Sequence, residues 1–215
     1  VEYNISLESF NSLQNLPQFF EVYDRFDILR ADKIAKEFGK KYIIKGNGDE
    51  YARAKEIKNT NASLIVPINF PKPYDVSDPV DALTLDYASM KNWEMAPSNP
   101  SFLYKENIPY CLTSSGIEKS EDFFVNLRKA IKRGLPENIA LMKLTSTPAE
   151  FLQISDKVGS LHAGKLANFI ICSKALFEEK NVIHQNWIKG NRYVINPYTE
   201  KPINASYNLE FATGD

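Results

Sequence analysis

The chain has 215 residues, with 26 lysines and arginines against 27 aspartates and glutamates and a formal net charge of −1. Its isoelectric point is near 6.2. That balance carries no electrostatic footprint for nucleic acid or for an anionic membrane surface. No apolar run approaches the roughly 20 residues of a membrane-spanning helix. A chain of this length fits one large domain, or one with a small partner. Cys111 and Cys172 make neither a disulfide framework nor a metal-spacing motif. His162 and His184 are the two imidazoles, too few for a zinc site built mainly from histidine. The chain starts at Val1, and Val1–Ile5 has neither a basic nor an apolar leader character. It reads as a soluble piece of something longer, and its compartment is open.

Along the chain, short apolar runs alternate with amphipathic stretches. Phe19–Tyr23 (FFEVY) follows Pro17 and reads as a buried strand. In Asp24–Phe38 the residues Ile28, Leu29, Ile34, Ala35 and Phe38 recur near helical spacing, and Gly39 supplies the stop. Tyr42–Lys45 (YIIK) is the next strand, followed by the loop Gly46-Asn47-Gly48. Asp49 is then expected to cap a second helix that places Tyr51, Ala54 and Ile57 on one face, before a third strand at Ser63–Ile68. Residues 70–81 are rich in proline, without a period, and read as a long loop.

A helical patch follows around Trp93–Pro100, then a fourth strand at Ile108–Thr113. Residues 120–133 are amphipathic and closed by Gly134, and Pro136 opens a helix through Leu144. Strand–helix alternation with continuously apolar strands implies an α/β fold whose parallel sheet is crossed over by helices. The last third differs. Asn168–Ser173, Ile183–Lys189 and Tyr193–Ile195 are short strand-like pieces around turns at Ala163-Gly164 and Gly190-Asn191. The tail after Pro197 is polar and is expected to wrap the surface or fray.

Residues 140–169 read ALMKLTSTPAEFLQISDKVGSLHAGKLANF. Thr145, Pro148, Ala149, Gly159, Ser160, Leu161, Gly164, Lys165 and Ala167 stand in register with a pattern of an Ala-Leu helix, Thr-x-x-Pro-Ala, and Gly-Ser-Leu-x-x-Gly-Lys-x-Ala-Asp. This resembles the C-terminal signature of the metal-dependent amidohydrolase superfamily, in its imidazolonepropionase-like branch. PQFFEVYDRFDILRADKIAKEFGKKYII is similar to that family's strand 5, helix 5 and strand 6, and IPYCLTSSG to its strand 8. The resemblance implies the C-terminal half of a TIM-like (β/α)8 barrel, strands 5–8, over residues 1–150. Residues 151–215 would be the C-terminal part of a composite β-sandwich, with the tail.

In this family one or two divalent metals, zinc among them, lower the pKa of a bound water at the C-terminal ends of the strands. The resemblance puts the strand 5 histidine position at Glu21 and the strand 6 position at Gly46, or at Lys45 with a one-residue slip. The strand 8 aspartate, which also shuttles the proton, falls at Ser114. The strand 1 His-x-His motif lies outside the chain, and Asn168 stands where the family has Asp. Three altered positions imply a degenerate site, with no metal bound by this chain. Glu21 beside Lys45 is expected to form an ion pair in the former metal pocket.

Other residues carry weaker signals. Gly46-Asn47-Gly48 reads as a tight turn before it reads as a phosphate loop. Trp93 and Glu94 are candidates for lining a ligand cleft, with a packing role for the tryptophan as the alternative. His162 is expected in an exposed turn, and His184, beside Trp187, in the packing of the β-rich segment. Three readings follow. The chain is a degenerate domain with a structural or regulatory role, part of an active C–N hydrolase whose other ligands lie outside it, or a small-molecule-binding module. Its expected partners are the missing N-terminal half, a homologous barrel, or a second copy meeting it at exposed sheet edges.

Overall fold

Asp24 ends one strand and starts one helix. Its carboxylate accepts the backbone N–H groups of Phe26 and Asp27 at 2.7 and 2.9 Å, satisfying donors that a helix start leaves free. The helix it caps, α2 (Arg25–Glu37), buries Ile28, Ala31 and Ala35 on one stripe. Gly39, at φ +61, lets the chain turn back into the sheet. Such units recur through the computed structural model, which describes residues 3–198.

The chain divides into two compact units, one running to Leu166 and the other starting at Ala167. In the first, α1 (Ile5–Ser12) precedes β1 (Gln18–Glu21), α2 and β2 (Tyr42–Lys45). A 3-10 turn (Glu50–Arg53) then runs into α3 (Ala54–Lys58) and β3 (Ser63–Pro67). The long β3-to-β4 connection holds α4 (Pro79–Thr84), α5 (Tyr87–Met95) and α6 (Asn99–Lys105). β4 (Tyr110–Thr113), α7 (Ser120–Lys132), α8 (Glu137–Leu144) and α9 (Ser146–Phe151) complete the unit.

All four strands are parallel and lie in sequence order, β1-β2-β3-β4. Each crossover adds the next strand on the same side, which is the winding of a (β/α) barrel and here makes half of an eight-stranded one. One face of the sheet is buried: Ile44, Leu64, Val66 and Tyr110 lie in the core, as do Leu103 of α6 and Leu127 and Ala130 of α7. Tyr110 keeps its phenol in that core by donating to the carbonyl of Pro100 at 2.8 Å, and burial pushes its pKa up. The opposite face carries Phe19, Ile43 and Ile65, exposed or half-buried.

The second unit is a three-stranded antiparallel sheet, β5 (Phe169–Cys172), β6 (Ile183–Ile188) and β7 (Asn191–Val194). Lys189 and Gly190, both at positive φ, make the two-residue turn between β6 and β7. Asn168, the departure from the expected aspartate, accepts the N–H of Lys189 at 2.7 Å and fixes that turn. Phe169 and Trp187 stack with ring centroids 5.3 Å apart.

Three local expectations need correction. The helix α1 was unforeseen, because none of its residues is buried and its periodicity has no packing behind it. The proline-rich loop ends in α4, started by Asp78 as N-cap and Pro79 in the first turn. Asp49 caps nothing through its side chain; it pairs with Arg25 at 2.7 Å. The tail beyond Tyr198 lies outside the described residues.

Candidate functional site at the strand ends

Because the sheet is parallel, the C-terminal ends of β1 to β4 share one rim, where a barrel gathers its chemistry. β1 delivers Glu21 there, β2 delivers Lys45 and Gly46, and β4 leads into Ser114. Glu21 and Lys45 are register partners, so neighbouring strands hold their side chains together. Lys45 Nζ donates to Glu21 Oε1 at 2.5 Å, the pair expected from the sequence. A carboxylate already bound to an ammonium is a poor ligand for a further cation.

Gly46 lies one residue further along. Its N–H donates to the carbonyl of Ile65 at 3.0 Å, which extends the sheet past Lys45. A Cβ on residue 46 would stand 1.8 Å from Oε1 of Glu50. The space of the side chain that Gly46 lacks is therefore filled by the Glu50 carboxyl. Glu50 is fully buried. Its Oε1 accepts the Gly48 N–H at 3.1 Å, and its Oε2 accepts Asn99 Nδ2 at 2.5 Å. Asn99, buried at the start of α6, also accepts the Tyr51 N–H at 2.7 Å. The network ties the β2 loop to the end of the long insertion. Sequence reading missed both Glu50 and Asn99; the available signal was a glycine at a strand end, where room had to be left for something.

No cation contacts Glu50 in this network, and burial raises its pKa above the ordinary value of 4.5, against the lowering effect of its hydrogen bonds. The folded chain thus keeps a proton that the unfolded chain releases. Glu50's contribution to stability is full below about pH 4.5 and declines as pH rises toward its folded pKa. Urea midpoints measured between about pH 4 and 7 are expected to fall more steeply for the native chain than for Glu50→Gln. Parallel curves would show an ordinary carboxyl.

The remaining candidates are placed separately. Ser114 is exposed, and its carbonyl accepts the Ile117 N–H at 3.0 Å. Glu94 pairs with Arg133 at 2.7 Å, and Trp93 is partly exposed on α5. His162 is exposed, and His184 Nδ1 lies 2.9 Å from the Asn196 carbonyl. Burial pushes the Cys111 thiol up to about 11, which withholds the thiolate a nucleophile needs. A cleft of about 240 Å³ opens beside the rim, lined in part by Asn69, Lys72, Gly116, Asn126 and Lys129.

A divalent metal does not fit these strand ends. Glu21 is held by Lys45, residue 46 has no donor and its space is taken, and Ser114 is a poor ligand unless deprotonated. Among the described residues, no three His, Cys, Asp or Glu side chains gather as a ligand set. Also among them, no helix is long and apolar enough to cross a membrane.

Residues 111–193 match the model of the amidohydrolase family. No curated protein matches the chain. Among solved structures, an amidohydrolase from Thermotoga maritima MSB8 superposes with a TM-score of 0.70 at 23% identity, over 89% of this chain and 47% of that one. A prolidase complexed with N-methylphosphonate-L-proline gives a TM-score of 0.56 at 15% identity, over 83% and 45%. A molinate hydrolase gives 0.54 at 12% identity, over 83% and 42%. At these identities the structural likeness speaks for the fold, and the chain spans less than half the length of each of the three.

Proposed function

We propose that this amidohydrolase-family chain, half of a TIM-like barrel, is a degenerate member whose strand ends have been rebuilt for structure and no longer hold a catalytic metal. The supporting observation is the occupancy of residue 46's side-chain space. A buried carboxyl, hydrogen-bonded to Gly48 and Asn99, sits where a ligand side chain would leave the strand. The neighbouring acid, Glu21, is neutralised by Lys45. A charge-balanced, hydrogen-bonded rim keeps the barrel end stable without an ion, and the chain's role is then structural or regulatory within a larger assembly. The metal-hydroxide chemistry of active amidohydrolases gains no step from these residues.

The test is elemental mass spectrometry of the purified chain after incubation with zinc and mild dialysis. Well under 0.1 zinc per chain is the expected result, on the order of adventitious surface binding. Near-stoichiometric zinc would sink the proposal. It would mean that Glu21 leaves Lys45 for a metal, as the reading of an active hydrolase with further ligands outside this chain requires.

A further inference from the structure

Just past β3 the chain is fastened through one residue. The Ile68 N–H donates to the Thr113 carbonyl at 3.2 Å, and the Ile68 carbonyl accepts the Phe70 N–H at 3.1 Å and Asn126 Nδ2 at 2.9 Å. Asn126 comes from the middle of α7 and is 8% exposed. Because its Nδ2 is committed to a carbonyl, the orientation of the carboxamide is set, and Oδ1 is left as an acceptor. Among the described residues nothing donates to that oxygen, and it is not sealed off inside the protein. An acceptor on so buried a side chain is costly unless a donor reaches it.

Asn126 lines the cleft of about 240 Å³ beside the rim, whose other wall is Asn69 and the stiff Pro71-Lys72-Pro73 segment. Asn69 lies against Gly116, where a Cβ would stand 2.5 Å from Asn69 Nδ2. The side chain of Asn69 makes no hydrogen bond among the described residues. Helical spacing places Asp122 and Lys129 on the same stripe of α7 as Asn126, one turn to either side, with roughly 5–6 Å between neighbouring Cβ atoms. Of the four charges lining the cleft, Lys72 and Glu118 face each other at 3.9 Å. Asp122 and Lys129 have no described partner. Phe70, Ile117 and Val125 supply apolar lining.

We propose that this cleft binds a free α-amino acid with an apolar side chain. The α-ammonium donates to Asn126 Oδ1 and to the Asp122 carboxylate, and the α-carboxylate accepts from Lys129 Nζ and Asn69 Nδ2. Both ligand charges are then met by charge-assisted hydrogen bonds, and the buried acceptor gains its donor. A plain carboxylate would leave Asn126 Oδ1 and Asp122 facing it unpaired, and a plain amine would leave Lys129 unmatched. The zwitterion is therefore the class that answers every group. The volume, below the roughly 300 Å³ at which pockets for larger ligands begin, suits one amino acid, with its side chain against Phe70 and Val125. Every wall comes from residues between 69 and 129. The site uses none of Glu21, Lys45, Gly46 and Glu50, so it stands whatever the metal measurement gives.

Isothermal titration calorimetry of the purified protein with L-leucine tests the site, against two analogues that each lack one charge, 4-methylpentanoate and 3-methylbutylamine. L-leucine is expected to bind with a Kd on the order of 0.1 mM, and each analogue at least about 10-fold more weakly. Lys129→Gln and Asp122→Asn remove one charge each from partly or fully exposed positions, and each is expected to weaken L-leucine about 10-fold. Lys129→Gln should leave the affinity for 3-methylbutylamine unchanged, since that analogue has no carboxylate to lose. The absence of L-leucine binding up to about 10 mM would overturn the proposal and leave the Asn126 carboxamide to solvent. So would an analogue that binds as tightly as L-leucine, or variants that bind L-leucine as the native protein does. If either variant fails to fold, the comparison of L-leucine with its analogues on the native protein still decides.

Discussion

Replacing Gly46 with alanine is expected to cost about 3 kcal/mol of stability, although the substitution adds a single methyl group. The figure combines overpacking in a filled site with the loss of acceptors for one buried and one partly buried donor. Gly46 does not need glycine for its backbone; its φ lies outside the left-handed region. The cost comes from Glu50, whose Oε1 would stand 1.8 Å and Cδ 2.9 Å from the new Cβ. To make room, the carboxyl must leave the Gly48 N–H and Asn99 Nδ2, and nothing else in the network accepts from them. For a chain of this length the melting temperature should fall by roughly 6–12 °C.

The second half of the expectation is non-additivity. Glu50→Ala alone should be destabilising by about 2–3 kcal/mol, since it orphans the same two donors. In that background Gly46→Ala should cost under about 0.5 kcal/mol, because its obstacle is gone. A double-mutant cycle by urea unfolding measures the coupling. If the two costs simply add, residue 46 and Glu50 do not compete for space, and the reading of the rim fails with them. Any larger side chain at residue 46 would need Glu50 changed with it.

How far the sequence reached is visible at this same rim. The strands were legible because buried parallel strands are continuously apolar, and YIIK and SLIVP have helices and turns signalled on either side. Glu21 and Lys45 were legible as a pair because adjacent parallel strands bring their ends together. Glu50 was hidden by the opposite logic. A glutamate after Gly-Asn-Gly-Asp looks like the solvated first turn of a helix, and only the three-dimensional path shows it turned inward onto Gly46, with Asn99 arriving from 49 positions away. Asp49 misled for the same reason. It had a capping residue's chemistry, but Arg25, also distant in sequence, takes its side chain. The helix α1 escaped because the apolar residues Ile5, Leu7, Phe10 and Leu13 are exposed here. Among the described residues none covers them, so the pattern had no packing to confirm it.

The recognisable segment at residues 140–169 invites a second test, of whether its glycines serve packing or only turns. Gly159 and Gly164 have nearly the same backbone, φ +90 and +89, so an alanine at either carries the left-handed penalty of about 1–2 kcal/mol. Their surroundings differ. Around Gly164 a Cβ would meet nothing within 4 Å, whereas at Gly159 it would stand 2.8 Å from the Ala149 Cβ, 3.1 Å from the Ser146 Cα and 3.1 Å from the Thr145 carbonyl oxygen. All three belong to the start and buried side of α9, and none is the tip of a flexible side chain. Gly159→Ala is therefore expected to cost about 2 kcal/mol more than Gly164→Ala, the increment of an overpacked site. Urea unfolding of the two variants reads the difference directly. Equal costs would mean that both glycines are kept for conformation alone. A larger cost at Gly159 would show that the Thr145–Pro148–Gly159 part of the pattern is a packing device, the return of the chain against α9. The fold would need such a device whatever the strand ends bind.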